Sequence, residues 1–467
     1  MARILTVDAV EQPYYRALAL GMRALILDGR VPLRVRLPAE RDLARALGVS
    51  RTTVTAAYDR LREQGYIESR QGSGSWTTLP SGHGRSSSYR PPLHPDPELI
   101  DLGVAAPPAV DGLPAVVAAA AERLPAYTGR SGYETAGLEE LRAAVARRYT
   151  ERGVRTAPDQ IFVTAGAQHA LVLLLRLLLH AGDPVLVESS SYPHALEAIR
   201  MAGGRLVPAG VTGAGWDVEI LVAGMREARF AYLIPDFHNP TGALMTDEGR
   251  AELVGAARRA GTYVAVDESA AELEIDTPRG GMPRPLAAHD PDGRVLSIGS
   301  LDKLVWGGLR VGWIRATPPM VRRLAATRAS LDLASPFLEQ LVGAQLFDDV
   351  AGIRQNRARE LAERRAALCG PLRRYLPEWR FAEPAGGLVV WAELPEPVAP
   401  AVAEAAARHG VRVVPGPVFG ADGTLDHHLR LSYTQPPDLL DAAVGRLAVA
   451  YREVVAGGHR SPSPAYV

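Results

Sequence analysis

Ser297-Ile298-Gly299-Ser300-Leu301-Asp302-Lys303-Leu304-Val305-Trp306-Gly307-Gly308-Leu309-Arg310 contains the one lysine of a chain that carries fifty-one arginines. A chain that places Arg wherever it wants positive charge, yet keeps a single side-chain amine, points to a task guanidinium cannot perform. Arg stays protonated and forms no imine, whereas a desolvated Lys loses its proton and attacks a carbonyl. Around Lys303 an apolar run ends in small polar residues, presents the amine, then turns through glycines to Arg310. That order suits a Schiff-base lysine beside a phosphate-bearing aldehyde. Arginine-heavy usage with one stray lysine is the competing explanation, and the surroundings of Lys303 argue against it.

Three more polar clusters follow apolar, strand-like runs. Ile161-Phe162-Val163 precedes Thr164-Ala165-Gly166-Ala167-Gln168; residues 231–234 precede Asp236-Phe237-His238-Asn239-Pro240-Thr241-Gly242; residues 263–266 precede Asp267. Ligands of open α/β sheets collect at the carboxyl ends of strands, so the four clusters are predicted to converge. Gly166, Ala167 and Gln168 open a helix expected to run to Leu179, and their N–H groups suit a phosphate. Ser300 adds a hydroxyl and Arg310 a charged fork to that grip. Asp267 suits a protonated pyridine nitrogen, Asn239 a ring phenolate oxygen, and Tyr192 the ring face. Singly, each has an ordinary alternative: a turn, a solvated strand cap, a packing tyrosine. Their joint occurrence in this order carries the reading.

At 467 residues with 47% hydrophobic and 22% charged residues, the chain has the composition of a soluble protein of two or three domains. No apolar run reaches membrane-spanning length, and residues 1–10 lack the order of a secretory signal, so the cytoplasm is the expected compartment and no membrane partner is expected. A single cysteine, Cys369, excludes an internal disulfide framework and a cysteine-rich metal site. Net charge is zero, so affinity for nucleic acid must come from local distribution; residues 1–78 carry twelve Arg against eight acidic residues.

Three helices are predicted before residue 79. The first repeats Tyr15, Leu18, Ala19, Met22, Leu25 and Ile26 at helical spacing. The second starts at Pro38 and packs Leu43, Ala46 and Leu47. Gly48-Val49 turns the chain, Ser50 caps the third helix, and Val54, Ala57, Tyr58 and Leu61 form its buried face up to Gly65. The opposite face opens with Arg51, Thr52, Thr53 and Thr55, short polar and cationic side chains that fit a major groove. Residues 66–68 and 75–77 pair as a hairpin about a basic tip, followed by a Ser, Gly and Pro-rich linker.

Leu37-Pro38-Ala39-Glu40-Arg41-Asp42-Leu43-Ala44, Leu47-Gly48-Val49-Ser50-Arg51-Thr52-Thr53-Val54 and residues 65–74 together resemble the winged helix of GntR-type regulators. The resemblance implies DNA contacts by Arg41, Ser50, Arg51, Thr52 and Thr53, with Gln71 and Gly72 at the wing tip. Ala39 stands where that family usually has a capping Ser. Asn239-Pro240-Thr241-Gly242, Asp267, and Ser300 with Lys303 and Arg310 resemble the fold-type I aminotransferases over residues 97–455. This implies pyridoxal 5'-phosphate held as an aldimine on Lys303, Tyr127 reaching the phosphate of the partner subunit, and Arg430 binding a carboxylate of the substrate or effector. Such sites commonly carry a Tyr shortly after the Asp, but Glu268-Ser269-Ala270 has none, and Asp302 replaces the usual small residue.

The whole chain resembles the MocR/GabR-type bacterial transcription regulators. The fold class implied is multidomain: an α/β winged helix-turn-helix, then an α/β aminotransferase-like large domain and a smaller α+β domain. The expected boundaries are 12–78, a linker 79–96, 97–320, 321–455 and a tail 456–467. The resemblance further implies double-stranded operator DNA and a small amino compound as partners, and a head-to-tail homodimer. Transamination is expected to be slow at most, or a half-reaction. A working aminotransferase with an appended DNA-binding domain is the alternative.

Overall fold

The computed structural model describes residues 14–27, 31, 33, 35–70, 74–79, 98–212, 215–421 and 424–457. At the front, α1 (Tyr14–Leu27), α2 (Glu40–Leu47) and α3 (Arg51–Glu63) pack around Leu18, Met22, Leu25, Ile26, Leu43, Val54, Ala57, Tyr58 and Leu61. Strands β1 (Ile67–Arg70) and β2 (Gly74–Thr77) pair antiparallel as the wing. Gln71 and Gly72 lie outside the described residues, as do all of the linker after Leu79 and the tail from residue 458. Leu79 itself packs on the winged-helix core.

Two details of α2 differ from the sequence reading. The helix begins at Glu40, with Ala39 extended (ψ 142°) as its N-cap, so Pro38 precedes the first turn. Ala44 is buried and Ala46 exposed, because the short helix presents 43, 44 and 47 to its neighbours. Ala39 supplies no side-chain cap; Glu40 and Asp42 in the first turn offset the positive helix end instead. Tyr58 holds the entry to α2 by donating to Pro38 O at 3.0 Å.

After the linker a seven-stranded sheet forms from β3 (Ile161–Thr164), β4 (Pro184–Glu188), β5 (Arg205–Ala209), β6 (Phe230–Leu233), β7 (Tyr263–Asp267), β8 (Val295–Ser300) and β9 (Gly312–Arg315). Its spatial order is β3-β9-β8-β7-β6-β4-β5, with only β9 running against the rest. Both faces are covered. Phe162, Val185, Val187, Phe230, Ala265 and Leu296 meet Leu171 and Leu174 of α4 (Ala167–Leu178), while Val163, Leu186, Ala231, Val264 and Val266 meet Leu253 and Val254 of α6 (Asp247–Ala260). Burial on two sides explains why these strands are continuous apolar runs. Helix α5 (Pro193–Met201) follows β4.

The C-terminal part contains a three-stranded antiparallel sheet, β10 (Val389–Glu393), β12 (His428–Ser432) and β11 (Val414–Pro415) in that order. The first strand after the linker, Ile100–Asp101, pairs in parallel with Val411–Arg412. The chain therefore touches its own distal part before entering the large sheet. Among the described residues no helix is long and apolar enough to cross a membrane.

The loop from β6 to Asn239 is pinned by a buried cation. Arg250 on α6 is fully buried and donates to Asp236 Oδ1 (2.7 Å), Met245 O (3.0 Å), Arg284 O (3.2 Å) and Pro235 O (3.3 Å). Removing one partner of such a pair leaves a buried charge uncompensated. Arg250→Met is expected to lower stability by roughly 3 to 5 kcal/mol, read as an earlier urea midpoint; an unchanged midpoint would show that the pin is dispensable.

Candidate functional site

The carboxyl ends of β3, β4, β6, β7 and β8 open on one cavity of about 310 Å³, closed on its other side by residues 103–105 and by Leu388, Val414, Phe419 and Arg430. Ala167, Gln168, Tyr192, Asn239, Asp267, Ser300, Lys303, Arg310 and Arg430 all line it. The convergence predicted for the four strand-end clusters is present.

Lys303 lies three residues beyond the end of β8, and its Nζ donates to Ala105 O at 2.8 Å. Burial pushes this ammonium below the ordinary lysine range; Asp302 pulls it back up, and Arg430 adds to the downward push. A lowered value enlarges the neutral, nucleophilic fraction. Asp267 ends β7 with both oxygens engaged: Oδ2 accepts from Tyr232 Oη at 2.7 Å and Oδ1 from the Ser269 amide at 2.9 Å. Burial, then the Asp267 charge, hold the Tyr232 phenol well above its usual range, so it is a donor.

At the other end, Gly166 has φ 85° and precedes α4. A Cβ there would stand 2.3 Å from Arg310 Nη2, so only glycine lets the guanidinium lie over the first turn of the helix. Arg310, itself at φ 53°, donates to Ala165 O (3.0 Å) and Asp302 Oδ2 (2.5 Å). Ser300 Oγ accepts from the Asp302 amide at 3.1 Å, which leaves its proton available to another acceptor. Helix N–H groups, a hydroxyl and a guanidinium gather at this end and suit it to an anion, with the Asp302 carboxylate beside them.

Arg430, on β12, donates to Gly103 O and to Asn239 Oδ1 (3.3 Å), with its Cζ 4.9 Å from the Phe419 ring centroid. Tyr192 caps α5; burial pushes its phenol up to about 12, and its ring meets His194 edge-on at 5.2 Å. Tyr127 is the one expected site residue far from this arrangement in character: it does not line the cavity, donates to Glu140 and packs at 5.0 Å on Phe337.

In the winged helix, Ser50 Oγ accepts from the Thr53 amide at 3.1 Å and sits 2.7 Å from both the Thr52 and Thr53 hydroxyls. Arg51 and Arg41 are exposed, with loose pairs at 3.7 Å to Glu40 and Asp42 that cost little to exchange for phosphate. The exposed start of α3 thus presents hydroxyls and guanidinium outward.

The sequence pattern of the aminotransferase class I and II family matches residues 97–447, and that of the gntR family of bacterial regulatory proteins matches residues 14–76. YisV, an HTH-type transcriptional regulator of Bacillus subtilis, is 30% identical over 90% of this chain and 92% of its own length. The probable rhizopine catabolism regulatory protein MocR of Rhizobium meliloti is 30% identical over 79% of this chain and 78% of its own. The chain belongs to the MocR-type regulators. Its fold is accordingly a GntR winged helix joined to a fold-type I aminotransferase domain. The solved LysN, an α-aminoadipate aminotransferase from Thermus thermophilus in complex with N-(5'-phosphopyridoxyl)-L-leucine, superposes with a TM-score of 0.70 at 30% identity, covering 77% of this MocR-type chain and 94% of LysN.

Sequence reasoning missed Tyr232, because a Tyr inside an apolar strand reads as core. It also missed a buried polar cluster behind the cavity. Glu188, fully buried at the end of β4, accepts from the Ile234 amide (2.8 Å), Ser191 Oγ (3.2 Å) and Trp216 Nε1 (3.4 Å), and lies 3.9 Å from His238. It braces the loops that carry Tyr192 and Asn239. Burial raises Glu188 from 4.5 to about 7 and depresses His238 to about 3. The folded chain therefore holds the Glu188 proton more tightly than the unfolded chain, so stability falls as pH rises from 4.5 to 7. Relative to Glu188→Gln, the wild type is expected to lose a few kcal/mol across that window, measured by urea unfolding at each pH. A pH-independent difference would remove Glu188 as the titrating group.

Proposed function

We propose that this regulator binds operator DNA through its winged helix and carries pyridoxal 5'-phosphate on Lys303, sensing an amino compound or the cofactor itself. The supporting observation is the meeting, in one cavity, of a half-buried amine, an acceptor carboxylate and a donor-rich anion end. The set fits the cofactor: Gly166, Ala167, Gln168, Ser300 and Arg310 for the phosphate, Asp267 for the pyridine nitrogen, Asn239 for the ring oxygen, and Tyr192 for the ring face. When bound, pyridoxal phosphate supplies an aldehyde that condenses reversibly with primary amines.

The chain's own residues then act as follows. Tyr232 and the Ser269 amide fix the Asp267 carboxylate, so it keeps a proton on a ring nitrogen without turning away. Arg430 offers two donors to a carboxylate on the incoming amine. Taking such a ligand draws Arg430 from Gly103 O, and use of the amine draws Lys303 from Ala105 O. Both carbonyls belong to the segment that joins the linker to the rest of the molecule. A ligand that exchanges these two hydrogen bonds alters how the tether of the winged helix is fastened, and DNA affinity changes by the ligand's preference between the two states. Arg41, Ser50, Arg51, Thr52 and Thr53 are the proposed DNA contacts. Tyr127, held by Glu140, is proposed to serve the partner's phosphate in a head-to-tail homodimer. With Ser269 and Ala270 in place of a tyrosine beside the ring, turnover to keto acid is expected to be slow at most.

The test is a DNA-binding titration on the region upstream of the chain's own coding sequence, with and without pyridoxal phosphate and then with a panel of amines. Wild type is expected to respond to a ligand to which Lys303→Ala does not. Identical responses of the two to every ligand would rule out a role for the amine. Borohydride reduction followed by peptide mapping is expected to label residue 303.

A further inference from the structure

Asp302 stands at the anion end of the cavity, among groups that otherwise donate. It lines the cavity, and its Oδ2 accepts from Arg310 Nη1 at 2.5 Å. Its Oδ1 is buried without a hydrogen-bond partner among the described residues. The remaining Arg310 contacts, to Ala165 O at 3.0 Å and Gly307 O at 3.4 Å, hold the same guanidinium over the start of α4. The residue that must grip a phosphate is therefore already paired with a carboxylate of the protein. A phosphate arriving there shares one guanidinium with a second anion, the Asp302 side chain being 13% exposed and that of Arg310 48%, so the competition is partly screened by water.

Resting on the proposed function, we propose that Asp302 is an internal competitor of the cofactor phosphate for Arg310, which keeps pyridoxal phosphate exchangeable so that occupancy follows its free concentration. An enzyme that keeps its cofactor through every turnover has no use for such a group. A sensor whose signal includes the cofactor does. The Asp302 amide donates to Ser300 Oγ at 3.1 Å, a backbone contact that both Asp302→Ser and Asp302→Asn retain.

The experiment is a spectroscopic titration of the full-length protein, wild type, Asp302→Ser and Asp302→Asn, with pyridoxal phosphate and in parallel with pyridoxal, which lacks the phosphate. Both variants are expected to bind pyridoxal phosphate several-fold more tightly, and pyridoxal as the wild type does. Unchanged or weaker binding of pyridoxal phosphate by both variants overturns the inference. Equal tightening toward pyridoxal also overturns it, because Asp302 would then act through the Lys303 amine and not through the phosphate. If neither the wild type nor either variant takes up pyridoxal phosphate, the proposed function falls together with this inference. Binding at unaltered affinity removes the inference alone.

Discussion

Two cations grip one short run of backbone. Lys303, at the end of the large sheet, donates to Ala105 O, and Arg430, in the small sheet, donates to Gly103 O. Neither head group is fully bathed by water, and a buried cation without an acceptor is costly. The segment 103–105 supplies those acceptors and so closes the cavity between the two sheets. Its own position is set by the pairing of Ile100–Asp101 with Val411–Arg412 and by Thr434 donating to Val104 O at 3.1 Å. Without that run of backbone the amine would lose the acceptor that holds it in place.

Around this constraint the site is assembled from groups that hold other groups. Tyr232 fixes Asp267, Arg250 fixes the loop to Asn239, and Glu188 ties that loop to the one carrying Tyr192. Each is buried, and each works through hydrogen bonds that a low-dielectric surrounding strengthens. The exposed residues of the winged helix form a different kind of surface: loose ion pairs and small hydroxyls, cheap to rearrange against a polyanion.

What was legible in the sequence follows a physical rule. Lys303, Asp267, Asn239 and Gly166 could be read because their chemistry is wrong for a core yet they end apolar strands, where an α/β sheet gathers ligands. The amphipathic spacing of α1 and α3 likewise announced their buried faces. Tyr232 was hidden because an aromatic within an apolar strand needs no explanation beyond packing. Glu188 was hidden because an acid before three serines reads as a solvated strand end, and only the fold reveals its burial. The carbonyls of Gly103 and Ala105 have no side-chain signature, and they meet their partners across 327 and 198 residues. In α2, the choice between Ala44 and Ala46 turned on where an eight-residue helix begins, which an uncapped Ala39 left unmarked.

The confinement of the only ε-amine to the cavity has an outcome for the exterior as well. Acetylation, carbamylation and related acyl transfers neutralise lysines, and no guanidinium of the winged helix is open to them. The positive surface that Arg41 and Arg51 present is therefore indifferent to the acyl-donor load around it, while the same chemistry directed at side chains would register at one interior atom, Lys303 Nζ.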